Sequence, residues 1–176
     1  HFWTNVRTEF DDSYGLRSVE IWNEPFNLDG WGYTCPNPDM YADLVANAGD
    51  EIHRADPMRT VKIAISGDLL QQTANSCGTS SDPDGYWRWL RSVLRARSSL
   101  RDFFDVLSVH PYTDRAHQGP NDSDGDPQFD LRRFNDILET QRLGGARGKP
   151  IWITEMGWST VCATPQIDND EQAQWT

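Results

Sequence analysis

Four short apolar, β-branched runs recur along the chain: SVEIW from Ser18, VKIAIS from Val61, DVLSVH from Asp105 and IWITE from Ile151. Their first residues fall 43, 44 and 46 positions apart. Runs of this length without clear alternation read as strands buried on both faces. Between them the apolar positions take helical spacing. In NPDMYADLVANAGDEIHRADP, Tyr41, Leu44, Val45, Ala48 and Ile52 fall on one stripe. Asn37 is placed to cap that helix, Pro38 fits its first position, and Pro57 follows its end. The segment YWRWLRSVLRARSSL puts Trp87, Leu90 and Leu94 on one face and Arg88, Arg91 and Arg95 on another. Those arginines read as a solvated outer face. A third helix is predicted around LRRFNDILETQRL, from the spacing of Leu131, Phe134, Ile137, Leu138 and Gln141. Residues 2–10 read as the tail of a preceding helix, and DNDEQAQW as the start of a following one.

Strand and helix alternating at near-constant spacing predict an α/β fold of consecutive right-handed βαβ units on a parallel sheet. A β-propeller shares the period but has no helices in its repeats. No glycine-rich phosphate loop follows any of the runs, which argues against a nucleotide-binding open sheet. A (β/α)8 barrel remains. A complete one needs eight units and roughly 250 residues, whereas about four units are visible here, so residues 1–176 read as a partial barrel within one catalytic domain.

Charge narrows the partners. The chain has 27 acidic and 16 basic residues and a formal net charge of −11. A phosphate backbone is repelled by that balance, while a neutral sugar is indifferent to it. No apolar run reaches the roughly 18 residues of a membrane span, and residues 1–25 carry no signal pattern. The chain opens on His1 rather than methionine, so a preceding segment is expected, and the absence of a signal pattern says little about destination. Secretion is the expectation, but this chain leaves it open. Nothing in the sequence speaks to oligomeric state. Cys35, Cys77 and Cys162 lack zinc-site spacing. One disulfide plus a free thiol, with Cys35–Cys77 the pair because both fall in loops expected to share a face, stands beside the alternative of three unpaired cysteines. In the long polar loop 113–130, Asp122, Asp124 and Asp126 superficially suggest calcium. Gly125 and Pro127 are misplaced for an EF-hand, and Arg133 stands where it needs glutamate, so no metal is expected. The loop reads instead as a cover over the site.

Ligands of a parallel barrel meet the carboxyl ends of its strands. Here those ends carry Asn23 and Glu24 after the first run, His110 and Tyr112 after the third, and Glu155 and Trp158 after the fourth. Two carboxylates at equivalent strand ends are the minimum for cleaving a glycosidic bond. One donates a proton to the leaving oxygen, and the other attacks or activates water. Two glutamates held close also repel as anions, which favours protonation of one.

With VHPYT between them, IWNEP and IWITEMGWST resemble the signatures of the clan A retaining β-glycosidases, most closely the family 5 cellulase-like and family 39 xylosidase-like groups. The resemblance spans nearly the whole chain, with the two glutamates 131 positions apart. It implies that the four runs are barrel strands four to seven, with strands one to three and eight absent. It implies Glu24 as general acid/base and Glu155 as nucleophile, with no cofactor. Asn23 then bonds the sugar 2-hydroxyl, Tyr112 bonds the nucleophile, and Trp158 is an aromatic platform. His110 contacts substrate or Glu24, or else is a hydrogen-bonded core histidine. Trp31 and Tyr33 form further subsites or pack their loop, while Trp22, Trp87 and Trp89 read as packing residues. The implied substrate is a β-linked oligo- or polysaccharide or a small β-glycoside. Regular strand geometry cannot turn Asn23 and Glu24 to one side, so a twist or bulge is expected there, with Pro25 favouring an extended Glu24. A non-catalytic carbohydrate-binding barrel is the rival reading. A Ser-His-Asp hydrolase lacks its Gly-x-Ser-x-Gly elbow.

Overall fold

The computed structural model of the protein describes residues 15–27, 30–32, 34–67, 88–110 and 134–156. Four strands, β1 (Ser18–Ile21), β2 (Lys62–Ser66), β3 (Val106–Val109) and β4 (Ile151–Ile153), form one sheet in the order β1-β2-β3-β4, every pairing parallel. Helices α1 (Pro38–Ala55), α2 (Arg88–Ala96) and α3 (Phe134–Leu143) fall between successive strands, with a single 3₁₀ turn at Leu100–Asp102. This is the predicted α/β alternation. Tyr112, Trp158, Tyr33, Trp87, Cys77, the loop 113–130 and the two terminal helices lie outside the described residues.

Local chemistry sets the element ends. Asn37 Oδ1 accepts from the amides of Asp39 and Met40 at 3.0 and 3.1 Å, satisfying two donors that the first turn of α1 leaves free. After the helix, buried Asp56 takes over: its carboxylate accepts from the Val61 amide at 2.8 Å and from the Thr60 hydroxyl. That bond fixes the turn feeding β2. At the same end of the sheet the Asp105 carboxylate accepts from the Ile63 amide at 3.0 Å, locking β3 to β2.

The register assigns each strand residue to a face. Glu20 pairs with Ala64 and Ala64 with Val106, while Ile21, Ile65, Leu107 and Ile151 form the adjoining row. Side chains alternate along a strand, so Ile21, Ile63, Ile65, Leu107 and Val109 share one face, and all are 5% exposed or less. They pack with Tyr41, Val45, Ile52, Trp89, Leu90, Val93 and Phe104 into the core between sheet and helices. Each such side chain contributes about 1.5–3 kcal/mol through the area it removes from water. Gly49 lets α1 close on the loop after the 3₁₀ turn, since a Cβ there would lie 2.5 Å from the Phe103 carbonyl oxygen.

The opposite face carries Glu20, Ala64, Ser66, Ser108, His110 and Thr154. The runs therefore do alternate. Only β2 and β3 approach burial on both faces; Glu20 is exposed, and in β4 Trp152 and Ile153 are 38% and 49% exposed. β1 and β4 are the outer strands of this sheet, and each has a strand neighbour on one side only among the described residues. α3 departs from its predicted stripe in the same manner. Ile137, Thr140 and Gln141 are buried, but Leu138 is 51% exposed, because the helix meets the core along a narrower line.

Candidate active site

The site begins where β1 leaves the sheet. At Ile21 the buried Tyr41 hydroxyl donates to the Ile21 carbonyl at 2.8 Å and accepts from the Ser66 amide at 3.1 Å. It thereby stands between the last residues of β1 and β2. Past it the chain turns sharply. Trp22 has φ 68° and Glu24 φ 43°, both in the left-handed region that bulky residues seldom occupy. Two positive-φ residues either side of Asn23 supply the departure from strand geometry that was expected. Glu24 itself is not extended, contrary to the expectation from Pro25. The Glu24 carbonyl accepts from the Asn27 amide at 2.9 Å, and closing that turn outweighs the bias exerted by Pro25.

Gly30 presses on this hook. A Cβ there would sit 2.3 Å from the Glu24 carbonyl oxygen and 2.9 Å from that of Asn23, so only glycine allows the approach. The same residue's carbonyl accepts from Trp22 Nε1 at 2.6 Å.

The Glu24 carboxylate is held at both oxygens. His110 Nδ1 lies 3.0 Å from Oε1, and Asn27 Nδ2 donates to Oε2 at 2.7 Å. His110 follows β3, and its side chain is only 3% exposed. Its Nε2 is 3.0 Å from Thr154 Oγ1, 3.7 Å from Glu155 Oε1 and 3.8 Å from Glu20 Oε1. Below it Ser108 Oγ bonds the Glu20 carboxylate and lies 3.1 Å from the Ile65 carbonyl. Donor atoms of Glu24, His110 and Glu155 all fall within 4.8 Å of one another. Those three could offer a cation three ligands, and the same spacing serves a pair of catalytic carboxylates.

Several residues here had no motif to announce them. Glu20, Ser108 and Thr154 lie inside the apolar runs; Glu20 shares its face with Ser18, Ser108 with His110, and Thr154 with Trp152. Their period-two placement was the available signal. Among the tryptophans, Trp89 is fully buried, as expected, whereas Trp22 is 50% exposed and is no core residue. Trp31 is partly buried behind it, its ring 5.5 Å from Trp22 and 6.4 Å from Tyr41, both contacts edge-on. Asn23 is exposed beside Glu24. Cys35 is disulfide-bonded, and Cys77, its expected partner, is not among the described residues.

A protein-family model described as cellulase (glycosyl hydrolase family 5) matches residues 1–176. The chain belongs to that family. No curated protein matches it. Of the two groups that the motifs resemble, the match falls on family 5, which makes the protein a glycoside hydrolase of the β-glycan-degrading kind. Four parallel strands alternating with helices fit the family 5 (β/α)8 barrel. On that barrel the polar face of the sheet is the interior, and the hook after β1, His110 and Glu155 stand at the carboxyl ends of strands, where barrel sites form. No described helix is long and apolar enough to cross a membrane.

Proposed function

We propose that this family 5 hydrolase cleaves β-glycosidic bonds with retention, using Glu155 as nucleophile and Glu24 as acid and base. The observation that carries the reading is the approach of Glu24 and Glu155, with donor atoms within 4.8 Å. Retention needs carboxyl groups about 5–5.5 Å apart, against about 6.5–9.5 Å for inversion, which must fit a water between carboxylate and sugar. Glu155 attacks the anomeric carbon as the bond to the leaving oxygen breaks, and Glu24 gives that oxygen its proton. A water then attacks the same carbon, gives its proton to Glu24 and releases Glu155 from the sugar.

The partners of His110 suit a carboxyl that gives and regains a proton. With the ring proton on Nδ1, His110 donates to Glu24 Oε1 and its Nε2 accepts from the Thr154 hydroxyl, and this holds whether Glu24 is ionised or carries on Oε2 the proton that goes to the leaving oxygen. Neither state of Glu24 then leaves a buried ring nitrogen unpaired. In this reading Asn23 bonds the sugar 2-hydroxyl, Tyr112 orients Glu155, and Trp158 and Trp31 face the substrate. β1 to β4 are strands four to seven of the barrel. The substrate is a β-linked oligo- or polysaccharide or a small β-glycoside. Secretion belongs to the same reading, and the Cys35 disulfide supports it, because such bonds persist in oxidising compartments.

The test is to incubate the full-length protein with 2-fluoro β-glycosides of several sugars and map the labelled peptide by mass spectrometry. An adduct on Glu155 is expected, and the sugar that forms it fastest identifies the substrate. An adduct on another residue overturns the assignment. Sugar binding without any adduct points to a non-catalytic barrel.

A further inference from the structure

Trp22 carries three costs that nothing among the described residues explains. It is a large apolar side chain with half its surface in water. Its backbone is held at φ 68°, where glycine or asparagine would sit with less strain. Its ring is also immobilised, by the bond from Nε1 to the Gly30 carbonyl and by the edge contact with Trp31. Behind Trp31 come Tyr41 and then Trp89, both fully buried, so the exposed ring is backed by an aromatic column reaching into the core. The turn to Glu24 explains why a positive φ is needed at position 22. It does not explain why tryptophan occupies it. Strain held in place by surrounding structure is characteristic of binding and catalytic sites.

We propose that Trp22 is a stacking platform for one pyranose ring of a β-linked chain, on the leaving-group side of the scissile bond. The ligand class follows from what the ring still offers. Its N–H is already taken, so recognition falls to the π face, which suits the CH face of a neutral sugar. The side follows from the loop. Gly30 holds the Trp22 indole by its carbonyl and packs against the Glu24 backbone, so platform and acid move as one body. A group fixed to the acid borders the fragment whose oxygen that acid protonates. The proposal rests on the assignment of Glu24 above.

The test uses Trp22→Asn in the full-length protein. Asparagine accepts the left-handed conformation, so the thermal midpoint should stay level or rise while the platform is lost. Binding of a β-linked tetrasaccharide is measured by calorimetry in a Glu155→Gln background, where turnover does not interfere. The expected result is a Kd raised about three- to tenfold by Trp22→Asn, with Trp22→Phe between the two. An unchanged Kd in the folded Asn variant overturns the platform, as does a large drop in its thermal midpoint, which would mark Trp22 as a packing residue. If the Glu155→Gln protein binds no β-linked tetrasaccharide at all, the glycosidase assignment fails and takes the platform with it. Tight binding that ignores Trp22 sinks the platform alone.

Discussion

The same four strands build two unlike surfaces. On the helix side Ile21, Ile63, Ile65, Leu107 and Val109 form a dry face, none of them more than 5% exposed. On the other side Glu20, Ser66, Ser108, His110 and Thr154 form a polar face, most of it joined by hydrogen bonds and ending at Glu24 and Glu155. Alternation along a strand puts a core residue and a site residue next to each other at nearly every position. The dry face supplies the free energy that the polar face cannot, because buried hydrogen-bonded groups contribute little net stability. The two surfaces should therefore respond oppositely to substitution. One loses stability, the other activity.

The sharpest contrast comes from Glu24→Gln. The amide keeps the size of the carboxylate, and Asn27 can still donate to it, so thermal stability should move little. Proton donation is lost, and kcat should fall about 10²–10⁴-fold on substrates with poor leaving groups. Aryl glycosides with good leaving groups should lose less, since they need less help at that step. Steady-state kinetics across a leaving-group series checks this. A uniform loss over the series would break the assignment of Glu24 as acid. Across the strand boundary, Ile65→Ala should do the reverse. It leaves a cavity between sheet and helices and should cost about 2–5 kcal/mol in denaturant unfolding, with kcat of the folded fraction nearly unchanged.

That division was only partly legible in the sequence. The strands, their order and the helices between them follow from run length, spacing and the Asn37–Pro38 start of α1. Glu24, His110 and Glu155 stood out because each ends an apolar run. Glu20 and Ser108 did not, since one polar residue inside β-branched sequence looks like a weak strand position until register shows which neighbours share its face. Trp22 was missed for a different reason. It closes an apolar run and so reads as a packing residue, whereas the left-handed φ at its own position takes it out of the strand and leaves half of its surface exposed. A single residue's backbone angle leaves no periodic trace.

Tyr41→Phe tests the join between the two faces. The ring belongs to the dry side, yet its hydroxyl bonds the end of β1 just before the chain turns toward Glu24. Phenylalanine keeps the packing and leaves the Ile21 carbonyl and Ser66 amide without that partner, at a cost of about 1–3 kcal/mol. If the hydroxyl positions the hook, kcat should fall with KM nearly unchanged. A loss of stability alone would mean that it only staples the sheet.

The smallest effect lies at the opposite end of the strands, and it separates pH dependence of folding from that of catalysis. His53, in the last turn of α1, has its pKa lowered from 6.5, first by burial and then by the charge of Arg59; nearby Asp105, Asp50 and Asp56 oppose the shift. The folded state therefore disfavours protonated His53, and the unfolded state binds more protons as pH falls below 6.5. Its contribution to stability is fully present above 6.5 and is lost as pH drops through the lower folded value. Because His53 is only partly buried, the slope should be shallow. Thermal midpoints measured from about pH 5 to about pH 7.5 should rise with pH more steeply in the parent than in His53→Asn. The pH profile of kcat should be the same in both, since the groups it reports stand around His110, at the other end of the sheet. A kcat profile that shifts with His53→Asn would show that the two ends are coupled.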